Sequence, residues 1–452
     1  MRDHATAANL WARVRSDLGA DWTAIADDVR ADVPLVAQTA ASALAHASVA
    51  AASSAAAEWV APAAGVRLDG GRIAIAYASE RHLRIDGTPP QIWSPLSGFF
   101  RSSDGWVRTH ANYPHHADAL RHALGVPPHA DKDATCAAIL RLSSREVVHA
   151  TTAAGGLCVV VRREQPSLDA LLRAHPVVAV ERWAGAPARR RQVAEAEAPL
   201  RGIRVLDLTR VIAGPVATRV LSHLGADVLR LDPPGLPELP WQHLDTGHGK
   251  RSAVMDVRRQ VDRFERLLSA ADVVVGAYRP SSRAMASLSL RHLGATHPGL
   301  VIAQLSAWGF GTAAASRRGF DSLVQAESGI AWIESPDGST PGALPVQALD
   351  HSAGYLLAAA VMNALFRQSR DGGTWMVRTS LRRIAAELLG MPRGDRSVAP
   401  TVDTAGHLRE YSTASGLVTT TRPAIAYSGA PSDYPAPRPW GCDAPEWPVE
   451  TG

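Results

Sequence analysis

Between residues 203 and 305 the chain alternates short, almost purely apolar segments with helical ones, and this alternation restricts the possible folds more than any other feature. A strand, a helix and a second strand form a βαβ unit, and near-continuous apolar strands are typical of a parallel sheet buried on both faces. The pattern therefore predicts an α/β fold built on an open, doubly wound, Rossmann-like parallel sheet. The predicted strands are residues 203–208, 227–231, 252–257, 272–275, 300–305 and 374–379, and the predicted helices are residues 214–224, 261–270, 352–366 and 381–389.

Changes in composition divide the chain into four segments. Residues 185–200 are charged and rich in Ala and Pro without apolar periodicity, which is typical of a linker. The segment before it, residues 1–184, is expected to form a smaller mixed α+β domain. Residues 201–391 hold the large domain, and the Pro/Gly-rich residues 392–452 are predicted to wrap over a surface. In the first segment the predicted helices are residues 5–18, 35–59 and 117–124, and the predicted strands are residues 72–77, 105–107, 158–161 and 177–180.

The composition excludes several classes of protein. With 452 residues, 46% of them apolar and 20% charged, the chain is globular and too apolar to be disordered. The formal charge of +4 is small and the basic residues are scattered, so no nucleic-acid partner is indicated. The longest apolar stretch, residues 37–57, is mostly Ala and Ser and lacks the Leu, Ile and Phe content of a membrane span.

Cysteine usage and the N-terminus predict a cytoplasmic protein. Cys136, Cys158 and Cys442 are odd in number, lie far apart and show no metal-ligand spacing, which fits a reducing compartment. The first residues are polar and charged and do not resemble a signal peptide. We therefore expect neither secretion nor a membrane partner.

The loop after the first predicted strand of the large domain is the first candidate site. The usual Gly-rich nucleotide, zinc-protease and serine-hydrolase motifs do not occur at any strand-to-helix junction. The loop reads Asp207-Leu-Thr-Arg-Val-Ile-Ala-Gly-Pro215. Its Gly-Pro pair can simply begin a helix. Alternatively, exposed backbone N–H groups and Arg210 receive an anionic ligand such as a pyrophosphate.

Two further junctions carry charged residues. Lys250 and Arg251 precede a strand, either as a solvated edge or as a phosphate clamp. Asp350 precedes the apolar helix at 352–366, where the simplest interpretation is an N-cap. The same backbone N–H bonds and the helix dipole would lower the pKa of that carboxyl and keep it ionised, as a carboxylate nucleophile requires. Gly354, one turn later, would let a substrate approach the backbone closely.

The large domain resembles the class III CoA-transferases, the group that includes formyl-CoA transferase, carnitine CoA-transferase and alpha-methylacyl-CoA racemase. The run Arg201-Gly-Ile-Arg-Val-Leu-Asp-Leu-Thr-Arg-Val-Ile-Ala-Gly-Pro-Val-Ala-Thr218 and the later Leu224-Gly-Ala-Asp-Val-Leu-Arg-Leu231 are similar to the opening of these proteins. Further segments follow in the family's order: Gly249-Lys-Arg-Ser252, Ala271-Asp-Val-Val-Val275, Tyr278-Arg-Pro280, Gly319-Phe-Asp321 and Gln347-Ala-Leu-Asp350. The resemblance is strong from residue 201 to about residue 390.

The resemblance implies a binding site for coenzyme A as a substrate, with no metal and no additional cofactor. Lys250 and Arg251 would lie near the nucleotide end, and Asp350 falls on the family's catalytic aspartate. Its carboxylate would attack an acyl-CoA thioester, and an aspartyl-CoA thioester would then pass CoA to a carboxylic acid. The implied CoA-binding residues are Thr209, Arg210, Val211, Ile212, Ala213, Gly214, Lys250, Arg251, Tyr278, Arg279 and Phe320.

One departure from the family separates its subgroups. The racemases place a histidine before an aspartate in a Gly-His-Asp triplet, whereas this chain has Phe320 before Asp321. Phenylalanine cannot carry a proton, so CoA transfer is favoured over racemisation. His351 could substitute only if it faced Asp350, and as the next helical residue it should project away. The alternatives are a racemase with a different second base and a catalytically silent CoA-binding subunit.

The order of the segments is unusual for the family. Residues 93–125 are similar to a small-domain segment that in most members follows the large domain, which suggests a permuted or fused chain. The resemblance also implies a homodimer whose acyl pocket lies between the domains of two subunits. His110, His115 and His116 look like a metal cluster on paper, but no carboxylate or cysteine stands at ligand spacing, so a polar loop is the favoured interpretation.

Overall fold

The protein has a mixed α/β fold built around one large sheet. The structure is a computed structural model and describes residues 2–22, 32–60, 65–189, 195–277, 290–311, 313–394 and 402–448. Within these ranges a seven-stranded sheet is accompanied by two three-stranded antiparallel sheets. The predicted combination of helices and a largely parallel sheet is confirmed.

The helices and strands have the following bounds. The helices are α1 (Arg2–Leu18), α2 (Ala41–Val60), α3 (Gly70–Tyr77), α4 (Ser79–His82), α5 (Pro114–Ala123), α6 (Lys132–Leu140), α7 (Ser144–Ala153), α8 (Pro166–Arg173), α9 (Ala213–His223), α10 (Pro240–Thr246), α11 (Val261–Ser269), α12 (Leu290–Thr296), α13 (Asp321–Ser328), α14 (Ile330–Ile333), α15 (Ala348–Asp371) and α16 (Leu381–Gly390). The strands are β1 (Arg84–Ile85), β2 (Phe99–Arg101), β3 (Trp106–Thr109), β4 (Cys158–Val160), β5 (Ala179–Ala184), β6 (Arg204–Leu208), β7 (Asp227–Asp232), β8 (Arg251–Val254), β9 (Val273–Gly276), β10 (Val301–Ser306), β11 (Thr374–Ser380), β12 (Leu408–Thr413) and β13 (Gly416–Thr421).

The large sheet runs in the order β5-β11-β10-β9-β6-β7-β8. Neighbouring strands from β11 to β8 are parallel, and only β5 is antiparallel to its neighbour β11. The direction in which the chain adds strands reverses between β6 and β9. In an open parallel sheet, the crevice at the carboxyl ends of the strands beside such a reversal is the usual place for a ligand.

Apolar residues cover both faces of this sheet. On one face Val205, Val273 and Val301 join the large core formed with α2, α9 and α15. On the other face Leu206 and Val274 join a smaller core formed with α11 and α12. Adjacent strand residues point to opposite faces, which is why the strand sequences read as continuous apolar runs.

The N-terminal segment belongs to the same core. Helix α2, which is rich in Ala and Ser, packs along α15, and strand β5 extends the edge of the large sheet. Small side chains let two helices approach closely, so the Ala/Ser stretch is explained by packing rather than by a membrane. No helix in the described ranges combines the length and apolar character that crossing a bilayer requires.

One element was predicted wrongly. Residues 72–77, read as a strand, lie in helix α3. The Asp69 carboxylate accepts a hydrogen bond from the backbone N–H of Arg72 at 3.0 Å and caps the helix, while Ile73 and Tyr77, four residues apart, are buried on one side. The alternation of Ile and Ala imitated a strand, and the capping aspartate carried the deciding signal.

The C-terminal residues lie along the outer strand β8. The Asp443 carboxylate accepts a hydrogen bond from the backbone N–H of Ser252 at 2.8 Å, and the Trp447 indole donates to the carbonyl of Leu267 at 3.0 Å. The hairpin β12–β13 pairs with β1 of the N-terminal segment. The tail thereby covers one edge of the large sheet and pairs with the N-terminal segment.

Helices α9 and α15 touch through a glycine. A Cβ atom at Gly354 would lie 2.7 Å from the carbonyl oxygen of Ala213 and 2.7 Å from the side chain of Val216. The space beside Gly354 is thus filled by α9, and the expectation that a substrate approaches the backbone there is wrong. The contact fixes the start of α9 against the first turns of α15.

Replacing Gly354 with Ala is expected to lower the free energy of unfolding by about 1–3 kcal/mol because the added methyl group overpacks this contact. The higher helix propensity of Ala, worth up to about 1 kcal/mol, offsets only part of the loss. Urea denaturation measures the change. Gly235→Ala is the control, because no atom lies within 4 Å of the position its Cβ would occupy. Equal stability of the two variants would contradict the contact.

Candidate active site

A cavity of about 320 Å³ opens at the carboxyl ends of strands β6 and β10. Its walls come from the loop after β6, the loop after β10, the start of α13 and the first turn of α15. Tyr113, His115 and His116 of the N-terminal segment close another side. The cavity lies beside the reversal of strand order, where the fold predicts a ligand.

The loop after β6 is strained at its centre. Val211 has a φ of 72°, in the left-handed region that β-branched residues avoid. Such a conformation costs about 1–3 kcal/mol and persists only where the surroundings enforce it. The backbone N–H of Val211 donates a hydrogen bond to the Glu238 carboxylate at 3.1 Å, which holds the loop in this shape.

The Glu238 carboxylate organises the charges around the loop. It is paired with Arg230 at 2.9 Å and with Arg210 at 3.5 Å, and it accepts a hydrogen bond from the Tyr113 hydroxyl. Burial alone would raise the pKa of Glu238, but the two arginines outweigh burial and lower the pKa to about 2. Glu238 therefore stays ionised and ties the cavity loop to the N-terminal segment.

Arg210 reaches the cavity with its guanidinium partly engaged. It donates to the carbonyl of Pro237 at 2.8 Å and lies 5.2 Å from the centre of the Tyr113 ring. Arg317 and Arg318, at the approach to α13, also line the cavity. Three guanidinium groups at one opening can attract phosphate groups of a ligand.

Lys250 is enclosed behind the loop and does not line the cavity. Its ammonium donates to Asp207 Oδ2 at 3.1 Å, to the carbonyl of Pro215 at 2.9 Å and to Thr218 Oγ1 at 2.6 Å. Burial lowers the pKa of Lys250 to about 8, against the opposing attraction of Asp207. The residue joins strand β6 to helix α9 and is neither a solvated edge nor an exposed clamp.

Arg251 lies at the amino end of β8, away from the carboxyl ends that form the cavity. Its guanidinium forms two hydrogen bonds to Asp227, at 2.9 and 3.0 Å, and a third to the carbonyl of Glu446. Each of the three guanidinium nitrogens of Arg251 thereby donates a hydrogen bond to another residue of the chain. The geometry does not place Arg251 where a ligand in the cavity could reach it.

Asp350 lies inside α15 and lines the cavity as the third helical residue. The helix begins at Ala348, four residues earlier than predicted, and Asp350 is therefore not its N-cap. The capping carboxylate belongs to Asp321, whose Oδ2 accepts the backbone N–H of Asp350 at 3.0 Å, while Gln325 donates to the other oxygen. The predicted cap function lies 29 residues earlier in the chain.

The sequence predicts a lowered pKa for the Asp350 carboxyl, and the structure raises it instead. Burial raises the pKa of Asp350 well above its usual range, and the neighbouring Asp321 carboxylate raises it further. Burial also raises the pKa of Asp321 to about 6, although backbone N–H groups and Gln325 favour its ionised form. Because backbone N–H groups and Gln325 bond Asp321, the surroundings favour the protonated form of Asp350 over that of Asp321.

The structure brings together some of the predicted site residues and separates others. Thr209, in the loop after β6, and Gly214, in the first turn of α9, do not line the cavity. The Thr209 hydroxyl donates to the Asp207 carboxylate at 2.5 Å, and a Cβ at Gly214 would collide with Thr209. Tyr278 and Arg279 lie outside the described residues. The predicted residues that line the cavity are Arg210, Val211, Ile212, Ala213, Phe320 and Asp350.

The family described as CoA-transferase family III matches residues 200–439, more than half of the chain. The chain belongs to CoA-transferase family III. Members of this family act on CoA thioesters and need no additional cofactor. The resemblance read from the sequence is confirmed, and the loops after β6 and β10 and the starts of α13 and α15 lie within the matched residues, whereas Tyr113, His115 and His116 lie outside them.

Individual relatives match only part of this family member. It is 34% identical over 206 residues to a probable fatty acyl-CoA transferase of Mycobacterium tuberculosis, covering 42% of this chain and 52% of the relative. It is 28% identical over 240 residues to the alpha subunit of succinyl-CoA–L-malate CoA-transferase of Chloroflexus aurantiacus, covering 49% and 54%. A crystal structure of a Mycobacterium tuberculosis protein is similar at 34% identity and a TM-score of 0.39, covering 42% and 57%. The chain spans about half the length of the curated relatives it matches.

A small second chamber of about 20 Å³ meets Asp350 from the other side. Glu80, Trp93 and His110 from the N-terminal segment and Gln242 from α10 line it, and sequence reasoning did not identify them as partners of Asp350. Burial, followed by the charge of Asp245, raises the pKa of Glu80 to about 7. These residues lie more than a hundred positions from Asp350 in the chain, so no local spacing could have connected them.

The histidines near the site are held by packing. The His110 ring stacks on Phe320 at 4.0 Å, and the His351 ring stacks on Tyr77 at 5.1 Å and does not line the cavity. His115 and His116 lie 4.1 Å apart at the cavity wall, where burial lowers the pKa of His116 to about 3. Across the described ranges no three His, Cys, Asp or Glu side chains are grouped to hold a metal ion.

Lys250→Met is expected to lower the free energy of unfolding by about 3–5 kcal/mol, because it leaves the buried Asp207 carboxylate without its cation. Adding Asp207→Asn should recover part of this loss, since the uncompensated charge is then removed. Guanidinium denaturation measures both. Arg259→Met, which removes an exposed pair with Asp256 at 3.7 Å, is the control and should change stability by less than about 1 kcal/mol.

Proposed function

We propose that this family member transfers CoA from an acyl-CoA thioester to a carboxylic acid, with Asp350 as the nucleophile. The observation that carries the proposal is the position of the Asp350 carboxyl, which lines an open cavity of about 320 Å³ and also a small chamber of about 20 Å³. A carboxyl in that place can meet a thioester, and afterwards an acid, in the open cavity, whereas the small chamber has room for about one water molecule.

The open cavity suits CoA. The cavity lies at the carboxyl edge of the large sheet, in which six strands follow the order β8-β7-β6-β9-β10-β11. We propose that it binds an extended phosphate-containing ligand there, as doubly wound sheets do. Arg210, Arg317 and Arg318 supply positive charge for the phosphates, although Arg317 also pairs with Glu327 at 2.6 and 2.9 Å. In this proposal the apolar residues Val211, Ile212 and Ala213 face the pantetheine arm, which would lead the thioester to Asp350.

The chemistry proceeds in balanced steps. An ionised Asp350 oxygen attacks the thioester carbonyl, which gives a mixed anhydride and a CoA thiolate. The thiolate attacks the aspartyl carbon of the anhydride, and the first acid leaves as a carboxylate. The second acid then attacks the aspartyl thioester, CoA leaves again as thiolate, and attack on the new acyl carbonyl releases the product thioester and free Asp350.

The N-terminal segment completes the site of its own chain in this proposal. Tyr113 and His116 line the open cavity, and Trp93 and His110 line the small chamber. The segment therefore performs the task that the family resemblance assigned to a small domain. We retain a homodimer and a cytoplasmic location as parts of the proposal.

A racemase is the second candidate, and one observation favours it. His110 lines the small chamber together with Asp350 and is therefore positioned as a second base, although burial lowers the pKa of His110 well below its usual range and makes the ring a weaker base. An acyl-CoA α-carbon between the two groups could lose a proton to one and receive one from the other. Deuterium entering the α-carbon in D₂O without acyl exchange would support this candidate.

Incubation with acetyl-CoA, succinyl-CoA or a long-chain acyl-CoA is expected to produce a covalent CoA adduct on Asp350. Mass spectrometry of the intact protein and its peptides measures the adduct, and hydroxylamine should remove it because it is a thioester. Asp350→Asn should lose the adduct and retain CoA binding, while Asp118→Asn, at an exposed carboxylate, should behave as the unaltered protein. CoA binding without any adduct in the unaltered protein would favour the silent subunit.

The rate of adduct formation is expected to rise with pH, because Asp350 must lose its proton before it can attack. Asp321→Asn removes the like charge that helps raise the pKa of Asp350, so the rising part of the profile should move to lower pH. Stopped-flow or quenched reactions between pH 5 and about 9 measure the profile. An unchanged profile in Asp321→Asn would contradict coupling between the two carboxyls.

A further inference from the structure

The small chamber beside Asp350 has a size and a lining that suit one water molecule, and the transfer steps above do not use it. Its volume of about 20 Å³ is close to the space that a single water occupies. Among the described residues that line it there is no lysine or arginine, whereas two of them, Glu80 and Asp350, carry carboxyl groups. The chamber is therefore too small for an acid and unfavourable to a further negative charge.

Three polar atoms of the chamber residues are buried without a hydrogen-bond partner among the described residues. They are Glu80 Oε2, His110 Nδ1 and Gln242 Oε1, and the three residues are 8%, 5% and 4% exposed. Buried polar atoms rarely stay unpaired, and a buried water typically forms about three hydrogen bonds to such atoms. The three atoms therefore match the needs of one water held beside Asp350.

Glu80 is the chamber residue best placed to take a proton from such a water. Its Oε1 lies 3.8 Å from the Nε of Arg81, while its Oε2 has no partner within the described chain. Burial, followed by the charge of Asp245, raises the pKa of Glu80 to about 7. A base whose pKa lies near the working pH is effective in proton transfer, so Glu80 is suited to this role.

Glu80 and its surroundings are particular to this chain's N-terminal segment. Glu80 lies in α4, outside the residues 200–439 that match the family. Helix α4 packs on α10, which carries Gln242, and the Ser79 hydroxyl donates a hydrogen bond to the Asp245 carboxylate at 2.8 Å. This bond joins the two helices and holds Glu80 and Gln242 on the same chamber.

We propose that the chamber holds a water molecule which, with Glu80 as its general base, hydrolyses the aspartyl-CoA thioester at Asp350, so that the protein is also an acyl-CoA hydrolase. This inference rests on the proposed function, which supplies the thioester, and adds a second activity. Because the acceptor acid uses the open cavity, an acid does not need to displace this water. Hydrolysis therefore proceeds when no acceptor acid is bound.

The hydrolytic step is balanced. The water oxygen bonds to the aspartyl carbon while one of its protons passes to Glu80, and the carbon–sulfur bond breaks. The other proton stays on the regenerated Asp350 carboxyl. CoA leaves as a thiolate and takes a proton from solvent, while Glu80 returns its own proton to solvent. One acyl-CoA and one water thus give one acid and one CoA thiol.

The test follows a single turnover in water enriched in ¹⁸O, with the full chain in excess and no added acid. The substrates are acetyl-CoA, succinyl-CoA and palmitoyl-CoA. The Asp350 adduct should form and then decay as CoA is released, which a thiol-reactive dye measures. Mass spectrometry should find one ¹⁸O atom in the Asp350 carboxyl and none in the released acid, because that acid carries away an oxygen of Asp350. Direct attack of water on the acyl carbonyl would give the reverse labelling.

Glu80→Gln should slow the decay of the adduct by about 100-fold, as expected for the loss of a general base, and the adduct should accumulate. Adduct formation and CoA transfer to the ¹³C-labelled acid of the same acyl-CoA should change little, which a structural role of Glu80 would not allow. Gln242→Leu removes one contact of the water and should slow the decay less. The control is Glu195→Gln, at an exposed carboxylate that pairs with Arg201 at 3.0 Å.

The outcomes separate the hydrolase from the proposed function. An Asp350 adduct that does not decay in the unaltered protein, or that decays equally fast in Glu80→Gln, would overturn the hydrolase and leave the transferase intact. Absence of the adduct, with ¹⁸O only in the released acid, would reject both. If Glu80→Gln does not fold, the label at Asp350 in the unaltered protein and the decay rate in Gln242→Leu decide.

Discussion

The site depends on the carboxylate of Asp321, which accepts backbone N–H groups at the start of α15. These bonds fix the first turn of the helix, and with it the direction in which the Asp350 side chain leaves the backbone. They also leave the raised pKa of Asp350 without an opposing hydrogen bond from these groups, because these groups are bound to Asp321. One capping interaction therefore sets both the geometry and the charge of the proposed nucleophile.

A second buried carboxylate connects the parts of the chain that surround the cavity. The Glu238 carboxylate accepts hydrogen bonds from the strained Val211 N–H and from the Tyr113 hydroxyl of the N-terminal segment. It also pairs with Arg230 and Arg210. Loss of any of these partners would leave either a buried charge or an unsupported left-handed valine. The unusual position of the small-domain-like segment is thus compatible with a complete site, because Glu238 couples that segment to the loop that faces the ligand.

The sequence predicts the large sheet well and the details of the site less well. Strand β6 was placed to within one residue because its apolar run is flanked by a recognisable βα junction. The αL valine, the capping aspartate and the role of Lys250 could not be predicted, because each depends on a partner between 27 and 43 positions away along the chain. Local sequence patterns indicate which segments are buried. The role of a buried charged side chain depends on its partner, which only folding brings into contact with it. Residues 72–77 show the converse, since a local cap at Asp69 was present and outweighed an apparent strand alternation.

The charge distribution around Asp350 imposes an order on the proposed reaction. An acid anion that enters the open cavity of the free protein adds a negative charge beside the Asp321–Asp350 pair, which would raise the pKa of Asp350 further and favour the protonated nucleophile. A thioester is neutral at its reacting carbon and has no such effect, so attack by Asp350 precedes productive entry of the acid. Once Asp350 is itself a thioester it carries no charge, and the anion no longer meets a second carboxylate at the point of reaction. In the proposed reaction, the order of the two exchanges would follow from electrostatics at one side chain, and we expect an acid bound to the free protein to inhibit until CoA has been loaded.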